Sequence, residues 1–143
     1  MKAFLDTSVL VAVFYGDHQH HAASLDLFAG LGKGERGCGA HSLVEVYSTL
    51  TRMPGKYRLT GEQCMLFISD IRQRLTVVAL TADEYAETLG QFSGLGVTGG
   101  TIYDAVLAGC ALKAKAESLY TWNLRHYEQL GPEVTRILKA PSF

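Results

Sequence analysis

The sequence predicts an α/β fold, a three-layer sandwich whose parallel-rich central sheet of four or five strands is flanked by helices. Two observations carry this expectation. Short apolar runs alternate with longer segments whose apolar residues recur at helical spacing, the order that builds strand–helix–strand crossovers. The 143 residues, 48% of them hydrophobic, supply one core of ordinary size, and no repeat, low-complexity tract or long linker divides them. A single domain over residues 1–143 is therefore expected.

The elements follow in order. Residues 2–5 read as a short buried strand and 7–15 as a helix stopped near Gly16. Residues 18–31 are a second helix, with Ala22, Leu25, Phe28 and Ala29 at helical spacing. "GLGKGERG" reads as loop and "CGAH" as a short strand. Residues 42–52 are helical, with Leu43, Val46, Tyr47 and Leu50 on one face, until "MPGKY" breaks the pattern. Helices are expected at 60–74 and 81–92, with the strand "TVVAL" between them. After the loop "GLGVTGG", residues 101–115 form a helix that is apolar nearly all round. "SLYT" is a strand, "NLRHYEQL" a short helix and "VTRIL" a last strand.

The formal net charge of -1 describes no uniformly basic surface of the kind that binds nucleic acid by itself. A bound divalent cation supplies positive charge locally, so nucleic acid stays open. Cys38, Cys64 and Cys110 are odd in number and form no CxxC pair, which reads as buried thiols in a reducing compartment. No run approaches the roughly 18 apolar residues that span a bilayer. Asp6 interrupts any signal-peptide layout. A cytoplasmic protein with no membrane partner is expected.

Three acids stand out, and each has a structural reading. Asp6, in the middle of the apolar stretch "AFLDTSVLVAVF", is placed to cap the helix that follows. Ser42 and Glu45 form S-x-x-E, and Thr101 and Asp104 form T-x-x-D, both patterns of the capping box. Asp104, however, lies beside Leu107, Ala108 and Ala111, with no polar stripe to occupy. A lone carboxylate there raises its pKa or finds a partner. All three acids also follow strands or open helices, the positions that converge on one crevice of a parallel sheet. Carboxylates gathered there repel one another unless a hard cation sits between them, and Mg2+ or Mn2+ suits oxygen-only ligation.

Taken together, "FLDTSVLVAVF", "SLVEVYSTLTRMPGKYRL", "TIYDAVLAGCAL" and "LYTWNLRHY" resemble, over essentially the whole chain, the PIN domain and more narrowly the toxin ribonucleases of VapBC toxin–antitoxin modules. The resemblance implies a parallel sheet flanked by helices and an acidic pocket that binds Mg2+ or Mn2+. Asp6, Glu45 and Asp104 match the family's three principal acids, and Thr7 or Ser8 the hydroxyl residue after the first. At the fourth acidic position this chain departs: many relatives carry Asp after the fourth strand, or Asn followed three residues later by Asp, and here those places hold Asn123 and His126. Asn123 can ligate through its carbonyl oxygen but brings no charge, so one ion rather than two is expected. His126 is read as a surface residue, with proton transfer as the alternative.

The implied activity is metal-dependent hydrolysis of RNA phosphodiester bonds, leaving 5′-phosphate and 3′-hydroxyl ends on single-stranded or looped RNA. Arg52, Lys56 and Arg58 are candidate contacts to the RNA backbone, or else a solvated basic loop. The implied partners are a cognate antitoxin, with Leu10, Val13, Phe14, Tyr47 and Leu50 as candidate contacts or plain core, and a second copy of the chain in a homodimer. The missing fourth acid keeps a second reading open, a catalytically weak PIN domain that binds RNA or protein.

Several motifs carry less. "GKGERG" and "GLGVTG" spell GxGxxG outside the strand–turn–helix setting that gives it meaning. "HQHH" at residues 18–21 fits no zinc spacing and reads as a solvated helix start. The single Trp122 has the shape to stack on a base, but beside a buried strand it reads as packing.

Overall fold

The computed structural model describes residues 1–30 and 32–142. Among the described residues the α-helices and strands run β1 (Ala3–Leu5), α1 (Thr7–Phe14), α2 (His21–Ala29), β2 (Arg36–Gly39), α3 (Ala40–Thr51), α4 (Gly61–Arg74) and β3 (Thr76–Val78), followed by α5 (Ala82–Ser93), α6 (Thr101–Lys113), β4 (Ser118–Tyr120), α7 (Leu124–Tyr127), α8 (Pro132–Thr135) and β5 (Leu138–Lys139). The strands form one sheet in the order β3-β2-β1-β4-β5, every pair parallel.

Side chains of β1 alternate across the sheet, as the pleat requires. Ala3 and Leu5 join a core with Val9, Leu10 and Val13 of α1, Val46 and Leu50 of α3, and Ile68 and Ile71 of α4. Phe4 points the other way, into a core with Phe92 of α5, Leu107 and Ala111 of α6, and Tyr127 of α7. The fully buried Phe4 contributes about 2–3 kcal/mol through its removal from water. Helix, sheet and helix are the three layers expected. The same packing settles three candidate partner contacts: Leu10, Val13 and Leu50 are core, whereas Tyr47 is exposed and Phe14 is half-buried against Phe28 and Phe67.

Several boundaries differ from the sequence reading. The second helix begins at His21 rather than His18, because residues 18–20 form turns in which His18 N–H donates to Tyr15 and His21 N–H to His18. Its expected end at Leu31 lies outside the described residues. The second strand starts at Arg36, inside the expected loop, and Ala40 and His41 belong to α3. Two glycines and an arginine look unlike a strand, yet a side chain at Gly37 would sit 2.8 Å from the Thr76 carbonyl. Close strand approach therefore selects glycine there. In "VTRIL" Val134 and Thr135 close α8, which Pro132 opens at its first position, Arg136 and Ile137 form a turn, and only Leu138, with Lys139 after it, pairs as strand. Among the described residues no helix is long and apolar enough to cross a membrane. The three cysteines are free and buried, and burial pushes the Cys38 thiol up to about 12.

Candidate active site

β1 ends at Leu5, and the next residue, Asp6, caps α1 by accepting from the Val9 N–H at 3.2 Å. The capping reading is therefore correct but incomplete. The same Oδ1 accepts from Ser8 Oγ at 2.6 Å, while Oδ2 accepts from the Tyr127 hydroxyl at 3.1 Å. Asp6 is only 2% exposed. Burial pushes its carboxyl above the ordinary range, and the donors from Ser8, Thr121, Val9 and Tyr127 pull it back. Burial and the charges of Asp6 and Asp104 in turn push the Tyr127 phenol well above its ordinary value.

The other two caps do not form. A capping-box serine must flank its helix, but α3 starts two residues before Ser42. Ser42 is instead buried, and its hydroxyl bonds that of Thr7 at 2.9 Å, tying α3 to α1. Likewise α6 begins at Thr101 itself after Gly100, without a side-chain cap. Asp104 and Glu45 are thereby left without capping duty. Glu45 Oε1 accepts from His41 Nδ1 at 2.8 Å, one turn earlier on α3. Asp104 is half-buried, and burial followed by the Asp6 charge pushes its carboxyl up to about 6. Glu45 adds to that push, and His126, 3.5 Å away, opposes it.

Asp6, Thr7, Ser8, Glu45, Asp104 and Asn123 all line one cavity of about 410 Å3 at the carboxyl ends of β1, β2 and β4. His18, His20, Thr49 and Trp122 complete much of its wall. "HQHH" is thus a turn at the cavity rim rather than a solvated helix start. Arg52 borders an adjoining recess that shares Glu45. Lys56 and Arg58 lie outside both: Lys56 rests 5.2 Å from the Tyr57 ring centre, and Arg58 Nε donates to Met53 O. Sequence reasoning missed Tyr127, Thr121 and His41. His41 and Glu45 share an i,i+4 face, which is a legible signal; Tyr127 and Thr121 reach Asp6 only through the tertiary fold.

Among the described residues no three His, Cys, Asp or Glu side chains stand close enough to enclose a metal ion as they are placed. The donor set nevertheless suits Mg2+ or Mn2+, since such ions keep several waters and need only one or two carboxylates. The raised Asp104 carboxyl beside buried Asp6 is the unbalanced negative charge that such an ion relieves.

The parallel sheet thus gathers three carboxylates, Asp6, Glu45 and Asp104, into an acidic pocket at its carboxyl edge. The PIN domain family model matches residues 3–129, and the chain belongs to that family. It is similar to ribonuclease VapC40 of Mycobacterium tuberculosis, with 38% identity over 90% of this chain and 94% of the relative. It is also similar to ribonuclease VapC27 of the same organism, with 33% identity over 91% and 93%. In fold it resembles VapBC2 from Rickettsia felis, solved bound to a DNA fragment from its promoter, at TM-score 0.67, 19% identity, and 99% and 100% coverage of the two chains. It likewise resembles M. tuberculosis VapC20, a sarcin–ricin loop cleaving toxin, at TM-score 0.66, 18% identity, and 82% and 87% coverage.

Proposed function

We propose that this chain is the ribonuclease toxin of a type II toxin–antitoxin pair, a cytoplasmic endoribonuclease that hydrolyses RNA phosphodiester bonds with Mg2+ or Mn2+. The relatives named ribonuclease VapC align over nine-tenths of the chain. One structural observation supports the metal dependence: the carboxylates of Asp6, Glu45 and Asp104 line one cavity, where burial and the Asp6 charge push the Asp104 carboxyl up.

Asp6 and Asp104 are the residues that hold the ion. When bound, it lowers the pKa of water, neutralises phosphate and stabilises the leaving oxygen. Glu45, fixed by His41, ligates through water or orients the nucleophilic water. Ser8 and Tyr127 hold the Asp6 carboxylate still, and Thr7 joins the two helices that carry Asp6 and Glu45. Asn123 offers a neutral oxygen, which favours a single ion. Arg52, next to the recess, and more distantly Lys56 and Arg58, meet RNA phosphates. The proposed partners are a cognate antitoxin and a second copy of the chain.

The test is cleavage of a structured RNA by purified, antitoxin-free protein with Mg2+, Mn2+ or EDTA, using Asp6→Ala as the contamination control. Metal-dependent cleavage lost in the variant supports the reading. The neutral Asn123 in the cavity favours the alternative of a binding module, which predicts stoichiometric RNA binding without turnover.

A further inference from the structure

Trp122 is the only tryptophan of the chain, and it stands between β4 and Asn123 in the wall of the acidic cavity. Its polar edge is bolted down. The indole Nε1–H donates to Ser24 Oγ at 2.8 Å, and Ser24 is fully buried. The Trp122 main-chain N–H donates to Ser8 Oγ at 2.9 Å, and that same hydroxyl donates to Asp6 Oδ1 at 2.6 Å. One hydroxyl therefore fixes the indole in register with the buried acid.

The His20 ring lies over the indole, with centres 3.7 Å apart and planes within 7°. Among the described residues the His20 side chain makes no hydrogen bond: it is at the N-terminal flank of α2 without capping it, and its bonds are main-chain ones, its N–H donating to His18 Nδ1 and its carbonyl accepting from Ser24 N–H. A face-to-face sandwich is also not the arrangement aromatic pairs prefer. A hydrogen-bonded indole thus faces an imidazole held by ring contacts alone, to the indole and to His18 with centres 5.6 Å apart, at a spacing that one flat base occupies. Unpaired nucleotides bind proteins by stacking their bases on aromatic side chains.

We infer that the indole of Trp122 is a nucleobase subsite, where an unpaired base next to the scissile phosphate takes the place that His20 now fills. The inference rests on the proposed ribonuclease activity and assigns one surface of this chain to an unpaired base of the single-stranded or looped RNA that the family resemblance implies. Duplex RNA, whose bases are already stacked, has no free base for the site. His20 is a placeholder that keeps the apolar indole face covered until RNA arrives.

The test uses the full chain in an Asp104→Asn background, without metal, and a short fluorescein-labelled single-stranded RNA. Anisotropy of the label reads binding, and the sole tryptophan reads stacking without further mutation. The expected results are quenching of tryptophan fluorescence that saturates with the same Kd as anisotropy, and Kd weakened about 5- to 20-fold by Trp122→Leu. Trp122→Phe should stay within about threefold, because its ring still stacks. His20→Ala should leave Kd unchanged or tighten it. Binding without quenching, an unaltered Kd in Trp122→Leu, or weaker binding in His20→Ala each overturns the subsite and leaves the ribonuclease reading intact. Absence of any binding to RNA, paired or unpaired, overturns both.

Discussion

Tyr127 donates its hydroxyl proton to Asp6 Oδ2 at 3.1 Å, joining a buried phenol on α7 to a buried carboxylate at the end of β1. The bond meets a need that burial creates, since a buried carboxylate oxygen without a donor is costly. Tyr127→Phe keeps the ring and removes only the donor. It should destabilise the protein by about 1–2 kcal/mol in urea melts and reduce metal-dependent cleavage, because Asp6 then loses part of its fixed orientation. An unchanged melt would show that water replaces the phenol.

Asp104 gives a pH signature. Its carboxyl titrates near 6 in the fold, against an ordinary 3.8. The native state therefore holds more protons than the unfolded chain between those values, and stability from this group falls as pH rises across that window. The penalty is absent below the lower value and complete above the upper one. Asp104→Asn should leave metal-free stability unchanged near pH 4 and raise it near pH 7.5 by about 1–2 kcal/mol, discounted for partial solvent exposure. Mg2+ should stabilise the wild type and not the variant. Strong destabilisation of the metal-free variant would contradict this account.

His41 holds Glu45 at 2.8 Å and is itself overlaid by the parallel ring of Tyr103, with centres 5.2 Å apart. Residues that orient metal-site carboxylates commonly matter about 10- to 100-fold. His41→Ala should lower cleavage within that range and raise the Mg2+ concentration needed for half-maximal rate. His41→Asn, which returns an N–H near the Nδ1 position, should recover part of the loss. Equal defects in both variants would assign His41 a packing role only.

Gly37 tests the sheet rather than the site. A methyl group there would meet the Thr76 carbonyl at 2.8 Å, and that carbonyl belongs to the backbone of a paired strand, which yields less than the end of a side chain. Gly37→Ala should cost about 1–3 kcal/mol by thermal or urea melting. Gly39→Ala faces a Leu107 methyl at 2.6 Å instead, the end of a side chain with rotamers to spare, and should cost less.

The alternation of strands and helices was legible because periodicity is local, and the helix starts expected at residues 60 and 81 fall where Thr60 and Thr81 cap α4 and α5. β2 was misplaced because its glycines are explained by neighbouring strands, not by intrinsic preference. β5 was misplaced for a similar reason: Pro132 opens a one-turn helix inside a β-branched run. Asp6 and Asp104 could be singled out because each carries a charge in an apolar setting, Glu45 by its place in the first turn of a helix after a strand, and Asn123 only through the family resemblance at the fourth acidic position. Their donors could not, since Tyr127 and Thr121 meet Asp6 from more than a hundred residues away, where no spacing rule reaches. For Ser42, the same S-x-x-E letters served a hydroxyl pair between helices rather than a helix start.

β1 lies at the centre of the sheet, yet one of its two neighbours, β4, comes from the last third of the chain. Asp104 and Tyr127 belong to that last third too. A polypeptide that has emerged from the ribosomal tunnel only through α5 carries Asp6 and Glu45 but neither Asp104, the third acid of the cavity, nor the phenol that fixes Asp6. Under the proposed activity, cutting power arrives only when translation is nearly finished. A ribosome making this protein is not exposed to its product's chemistry during elongation, and a prematurely terminated copy is harmless to RNA.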